Sequence, residues 1–135
     1  MTTTEIQALV RQALAAREQA YAPYSGFKVG AALLTPGGTV YQGCNIENAA
    51  YSPGNCAERT AVFKAVSEGE RQFAAIAVVG YADGTAEPGF AYPCGVCRQV
   101  MSEFCEASFT IVVAADEARY EVLTLGELLP FGFTL

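Results

Sequence analysis

Cys56-Ala57-Glu58 and Pro93-Cys94-Gly95-Val96-Cys97 are the residues of this chain best suited to chemistry, and they sit in a sequence without a single histidine. That absence removes the commonest general base and the commonest zinc ligand together. A metal must then be held mainly by thiolates, and proton transfer near neutral pH falls to a carboxylate with a shifted pKa. Cys94 and Cys97 are spaced to share one face of a helical turn, and Cys56 can add a third sulfur. Three sulfurs around a tetrahedral zinc leave one position for water, the arrangement of a catalytic rather than a structural site. Three cysteines and a glutamate are enough to build a hydrolytic centre.

Charge balance gives the neighbours a role. Three thiolates carry one more negative charge than Zn2+ cancels, which weakens the metal's power to acidify water. Arg59 can offset this by hydrogen-bonding to a ligand sulfur; its plainer reading is a surface salt bridge. Glu58 follows Cys56 closely enough to take a proton from water at the metal and return it to a substrate. Burial beside apolar walls would raise its pKa for that task. Its plainer reading is a first-turn carboxylate complementing a helix dipole. By itself, the Cys94-x-x-Cys97 run fits a thiol redox motif, a structural zinc and a catalytic zinc alike.

The elements that must position these residues can be read from periodicity. Thr4-Glu5-Ile6-Gln7 fits a capping box, and Ile6, Leu9, Val10, Ala13, Leu14, Arg17 and Tyr21 recur at helical spacing up to Pro23. Phe27–Thr35 and Thr39–Cys44 read as a hairpin about Pro36-Gly37-Gly38. A polar loop, Asn45–Asn55, leads to a helix from Cys56 to about Glu68, with Asn55 as its N-cap and Gly69 as its terminator. Phe73–Val79 has the near-continuous apolar character of a strand covered on both faces. The Gly- and Pro-rich segment Gly80–Tyr92 then reaches a second inner helix, expected from Pro93 at its first position to about Cys105. Phe109–Ala114 and Arg119–Leu123 are strands joined too tightly for a crossover, hence antiparallel. Thr124-Leu125-Gly126-Glu127 repeats the capping-box pattern before a short last helix. The order specifies a single α/β domain over residues 1–135, a three-layer α/β/α sandwich on a five-stranded mixed sheet. In both strand-loop-helix units a cysteine falls at a helix start, where exposed N–H groups favour thiolate over thiol.

Composition narrows the substrate. The formal net charge is −6 and the eight Lys and Arg are scattered, so no basic stripe serves a polynucleotide. A small neutral ligand suits the charge better. No run approaches about 20 uninterrupted apolar residues, so no membrane span is expected, and Met1-Thr2-Thr3-Thr4-Glu5 lacks the features of a signal peptide. An odd cysteine count, spaced for ligation, favours a cytoplasmic setting over a disulfide framework. Charged residues make up only 16% of the chain, and Leu128-Leu129-Pro130-Phe131-Gly132-Phe133-Thr134-Leu135 stays apolar to its end. A subunit interface is the expected cover for that tail. Cys44 and Cys105 are expected to pack and to do no chemistry.

His-x-Glu followed by Pro-Cys-x-x-Cys is the pattern of zinc deaminases, with an all-cysteine variant of the metal site. This chain matches the variant, with Cys56 in the histidine's place. Nearly end to end it resembles the small, all-cysteine-zinc cytidine deaminases. The likeness runs through Tyr24-Ser25-Gly26-Phe27-Lys28-Val29-Gly30-Ala31-Ala32, Gly43-Cys44-Asn45-Ile46-Glu47-Asn48-Ala49, Cys56-Ala57-Glu58-Arg59-Thr60, Pro93-Cys94-Gly95-Val96-Cys97-Arg98-Gln99 and Leu128-Leu129-Pro130. The resemblance implies one Zn2+ per chain on Cys56, Cys94 and Cys97, proton transfer by Glu58, and hydrolysis of cytidine and 2′-deoxycytidine in pyrimidine salvage. It further implies that Asn45 and Glu47 hold the ribose 3′-hydroxyl, Phe27 packs on the pyrimidine, backbone at Ala57 meets the base carbonyl, and Arg59 supports a ligand sulfur. A homotetramer is implied too, with Phe133, or Phe131 beside it, reaching a neighbouring subunit's site. A carboxylate such as Glu47 accepts a sugar hydroxyl well and repels a phosphate, which favours a nucleoside over a nucleotide. A blasticidin-type deaminase shares the layout, but Cys44–Asn48 and Glu58-Arg59-Thr60 favour cytidine. A thiol–disulfide oxidoreductase and a non-catalytic zinc module are the readings outside the class.

Overall fold

Thr2 and Glu5 form the capping box that opens the chain's first helix, α1 (Thr3–Arg17), in the computed structural model, which describes residues 1–135. The box lies two residues earlier than the Thr4–Gln7 pattern suggests. The Thr2 hydroxyl accepts from the Glu5 N–H while the Glu5 carboxylate accepts from the Thr2 N–H, both at 3.1 Å. A charged acceptor complements the helix N-terminus better than the Gln7 amide can. The helix also stops at Arg17, short of Tyr21. Tyr21 is claimed by another element, donating its N–H to the Asn45 carbonyl and accepting from the Glu47 N–H.

The remaining elements are β1 (Phe27–Leu34), β2 (Val40–Cys44), α2 (Ala57–Ser67), β3 (Ala75–Ala82), α3 (Gly95–Phe104), β4 (Thr110–Ala114), β5 (Tyr120–Thr124) and α4 (Leu125–Leu128). The strands form one sheet in the order β2-β1-β3-β4-β5. β3 and β4 are parallel and the other three pairs antiparallel, so the sheet is mixed. β3 continues through Gly80, Tyr81 and Ala82, which sequence patterning assigns to the following loop. β1 supplies the reason, since Phe27 pairs with Ala82 and the ladder runs the full length of both strands. Polar and glycine residues are held in a strand when a neighbour offers a complete set of partners.

Side-chain alternation sorts the strands onto two cores. Ala32, Ala75, Ala77, Val79, Val112 and Ala114 meet α1 on one face. Ala31, Leu33, Ile76, Val78 and Ile111 meet α2, α3 and α4 on the other. The result is the three-layer sandwich. Small residues let the layers close. A Cβ at Gly30 would lie 2.1 Å from the Ala13 carbonyl oxygen of α1, and one at Gly43 would lie 2.4 Å from the Ala57 oxygen of α2. Gly43 therefore sets how closely the start of α2 approaches the sheet. Arg17, 2% exposed, ties the end of α1 to β3; it stacks 3.6 Å over the Tyr81 ring, donates to the Tyr81 carbonyl and pairs with Asp83. No helix is long and apolar enough to cross a membrane.

Both inner helices start later than expected, α2 by one residue and α3 by two. Cys56 rather than Asn55 is the N-cap of α2, and Cys94 is the N-cap of α3, which leaves Pro93 outside the helix. Asn55 is drawn away by reciprocal backbone hydrogen bonds with Ile46 at 2.9 Å.

Because α2 rests on Gly43, Gly43→Ala is expected to destabilise the fold by roughly 1–3 kcal/mol through overpacking. Chemical denaturation measures this; an unchanged midpoint would contradict the close approach.

Candidate active site

Neither Cys56 nor Cys94 uses its side chain to cap its own helix, so both sulfurs are free to face one another. Cys97 lies one turn into α3 and is fully buried. The three sulfurs lie within 4.8 Å of one another, and Cys56 Sγ is 3.8 Å from Cys94 Sγ. Sulfurs at about 2.3 Å from a tetrahedral zinc stand about 3.8 Å apart, so the spacing fits that ion. All five cysteines are free thiols, and no carboxylate or fourth cysteine joins the cluster. The donor set is that of an open zinc site with three protein ligands.

The electrostatics agree. The neighbouring Cys97 thiol foremost, with Arg59 and Cys94, holds the Cys56 thiol well below its usual range, against the opposing effect of burial. Cys97 is correspondingly raised, because its proton is retained against the Cys56 charge. Arg59 Nη2 donates to Cys56 Sγ at 3.1 Å. Burial works against the Arg59 charge, but its hydrogen bond to Cys56 and the nearby Cys97 sulfur outweigh it and raise its pKa. Its Nε is buried without a partner, a desolvated donor whose cost is tolerable only where negative charge lies close by. Arg59 is thus no surface salt bridge. Thiolate, guanidinium and two helix N-termini are set around one point.

Glu58 occupies the first turn of α2 and is 5% exposed. Burial is the main cause that pushes its pKa up to about 7, with the Cys56 charge adding to the rise and Arg59 opposing it. A carboxyl in that range gives and accepts protons with comparable ease.

The cluster opens into a cavity of about 590 Å3, within the span of small-molecule sites. Cys56, Glu58 and Arg59 line it together with Cys94. So do Phe27, Asn45, Glu47 and Ala57. Asn45 spends its side chain on β1, accepting from the Val29 N–H and donating to the Phe27 carbonyl, both at 2.8 Å. It thereby fixes the strand end that carries Phe27. Glu47 Oε1 accepts from the Tyr24 and Ser25 N–H groups at 2.9 and 3.1 Å, and Oε2 accepts from the Ser25 hydroxyl. These bonds, that from the Ser25 hydroxyl foremost, hold the Glu47 carboxyl below its usual range.

Phe133 does not line the cavity of its own chain; its carbonyl accepts from Gln99 Nε2 at 3.0 Å and its ring is largely exposed. Leu128 and Leu129 pack against the core, while Phe131 and Leu135 project fully into solvent. Cys44 and Cys105 lie at element ends away from the cluster, and burial pushes the Cys105 thiol up to about 12. Sequence reasoning missed Tyr92, Ala91 and Val78 as walls of the cavity. Strand alternation carried a signal for Val78, which shares the α2 face with Ile76. Tyr92 and Ala91 sit in an irregular loop with no period to read.

A family model described as "Cytidine and deoxycytidylate deaminase zinc-binding region" matches residues 3–114. The cytidine deaminase of Sporosarcina psychrophila is 51% identical over 130 residues, covering 96% of this chain and 92% of that protein. That of Halalkalibacterium halodurans is 53% identical over 128 residues, covering 95% and 93%. Among solved structures, a cytidine deaminase from Burkholderia pseudomallei superposes with a TM-score of 0.86 at 50% identity, over 98% of this chain and all of that one.

Removing one sulfur separates the cluster from the other cysteines. Cys97→Ser is expected to abolish stoichiometric zinc in the purified protein, whereas Cys105→Ala retains one zinc per chain. Metal analysis of both variants, with circular dichroism to confirm folding, reads the difference.

Proposed function

This chain belongs to the cytidine and deoxycytidylate deaminase family, and from that premise we infer that it is a zinc-dependent nucleoside deaminase converting cytidine and 2′-deoxycytidine to uridine and deoxyuridine with release of ammonia. The observation that carries the reading is a buried carboxyl, Glu58, in the same cavity as three convergent sulfurs. Zinc held by Cys56, Cys94 and Cys97 supplies the Lewis acidity that makes water a nucleophile near neutral pH. Glu58 then does the proton work. It accepts a proton from the attacking water, passes it to ring N3 so that C4 becomes electrophilic, and carries a further proton to the departing amino group. Water adds at C4, the C4–N4 bond breaks, and ammonia leaves.

The other residues orient and exclude. Phe27 offers an aromatic surface to the pyrimidine, and the backbone at Ala57 meets the base carbonyl. Asn45 and Glu47 receive the 3′-hydroxyl, and Arg59 restrains the charge of the sulfur cluster. We place the reaction in cytoplasmic salvage of pyrimidine nucleosides, carried out by a homotetramer in which Phe133 closes a neighbouring subunit's cavity. The exposed apolar tail beyond Pro130 supports that assembly.

Within the family the choice between nucleoside and nucleotide turns on charge. Arg59 is the only cation lining the cavity, and it is engaged with sulfur. Glu47 carries negative charge where the sugar sits. A phosphate finds no partner there and meets repulsion.

Glu58→Gln is expected to lower kcat for cytidine by roughly 10²–10⁴-fold while zinc stays stoichiometric. Loss of the cytidine ultraviolet band, followed beside metal analysis, measures both, and near-normal turnover would exclude Glu58 as the proton carrier. Cytidine 5′-monophosphate should react with a kcat/KM at least about 100-fold below that of cytidine, the effect of several kcal/mol of like-charge contact. Comparable rates for the two would overturn the nucleoside assignment.

A further inference from the structure

Ser25 does not line the cavity, yet it joins two residues that do. Its Oγ accepts the Phe27 N–H at 3.0 Å and donates to Glu47 Oε2. A serine hydroxyl has one proton, so with that proton on Glu47 the direction of the bond is fixed. Each oxygen of an ionised carboxylate offers about two lone-pair sites. Glu47 Oε1 has both engaged by the Tyr24 and Ser25 amides. Oε2 has one engaged by Ser25 and one left. Any sugar hydroxyl that Glu47 receives must therefore go to Oε2, beside Ser25 Oγ. Asn45 offers less competition than its type suggests, because its amide already bridges Phe27 and Val29. The turn that brings Ser25 to Glu47 depends on Gly26, whose φ of 69° suits glycine.

We propose that Ser25 is a positioning residue for sugar recognition: anchored on the Phe27 amide, its hydroxyl orients Glu47 Oε2 so that the remaining lone pair receives the nucleoside 3′-hydroxyl. The proposal rests on the reading that Glu47 binds that hydroxyl. Chained hydrogen bonds polarise one another, so Phe27 N–H, Ser25 O–H and Glu47 act as one unit. Packing of the base on Phe27 and capture of the sugar by Glu47 are then coupled through a side chain that touches neither ligand group.

The test compares kcat/KM for cytidine and 3′-deoxycytidine in the zinc-loaded wild type and in S25A, S25T and E47Q. The wild type should prefer cytidine, and E47Q should lose most of that preference. S25A should lose more on cytidine than on 3′-deoxycytidine, shrinking the ratio by roughly tenfold, as expected when a group hydrogen-bonded to a charged partner is released. S25T keeps the hydroxyl and should retain most of the ratio. A wild type indifferent to the 3′-hydroxyl removes the Glu47 reading and the proposal with it. A wild type that discriminates, with S25A keeping the full ratio or losing rate equally on both substrates, overturns the role of Ser25 alone. Should S25A fail to fold or to hold zinc, S25C keeps the volume with only a weak donor and gives the same comparison.

Discussion

Cys56, Cys94 and Cys97 hold their sulfurs within 4.8 Å of one another, and three thiolates that close repel unless positive charge is set among them. The fold answers with several sources of it. α2 and α3 both point their N-termini at the cluster, and Arg59 donates directly to Cys56. One cation short of neutrality, the site is built for a metal with two charges. Glu58 sits inside the same field, and its burial beside the sulfurs keeps its proton mobile.

Bringing two helix starts to one point demands a particular sheet. β1 and β2 deliver the loop into α2, and β3 delivers the loop into α3. The β1–β3 pairing, continuous from Leu34–Ala75 to Phe27–Ala82, fixes those deliveries relative to each other. Glycine and alanine at the layer contacts allow the helices to approach closely enough for side chains as short as cysteine to meet. Gly43 under Ala57 and Ala61 is the clearest instance, since it holds the residues next to Cys56 and Glu58 against the sheet. Apolar burial thus serves position as much as stability.

The Asn45–Glu47 side of the cavity follows a second logic. Asn45, Glu47 and Ser25 form most of their hydrogen bonds with the 24–29 backbone. Polar residues that line the cavity are held by the same bonds that shape the start of β1. A site organised this way loses little conformational freedom when a ligand arrives. It also means that polar residues of one loop cannot each be counted as a ligand contact, because part of their capacity is already taken.

The chemistry was legible in the chain because it depends on residue type and local spacing. Cys56-x-Glu58 and Cys94-x-x-Cys97 mark the metal-ligating sulfurs and a carboxyl beside them at any orientation of the domain, and the absence of histidine excludes an imidazole ligand or base outright. Element order, the mixed sheet and the antiparallel β4–β5 pair followed from periodicity and loop length, which are local properties as well. What the tertiary structure decided were the matters settled by competition between distant partners. Tyr21 leaves helical spacing for Asn45 and Glu47, β3 lengthens to match β1, and Asn55 yields the N-cap to Cys56 because Ile46 claims its backbone. Ser25 reaches Glu47 across 22 positions of sequence, and Tyr92 joins the cavity wall from a loop without a period. A residue's type states which bonds it can make; only the folded chain decides which partner arrives to make them.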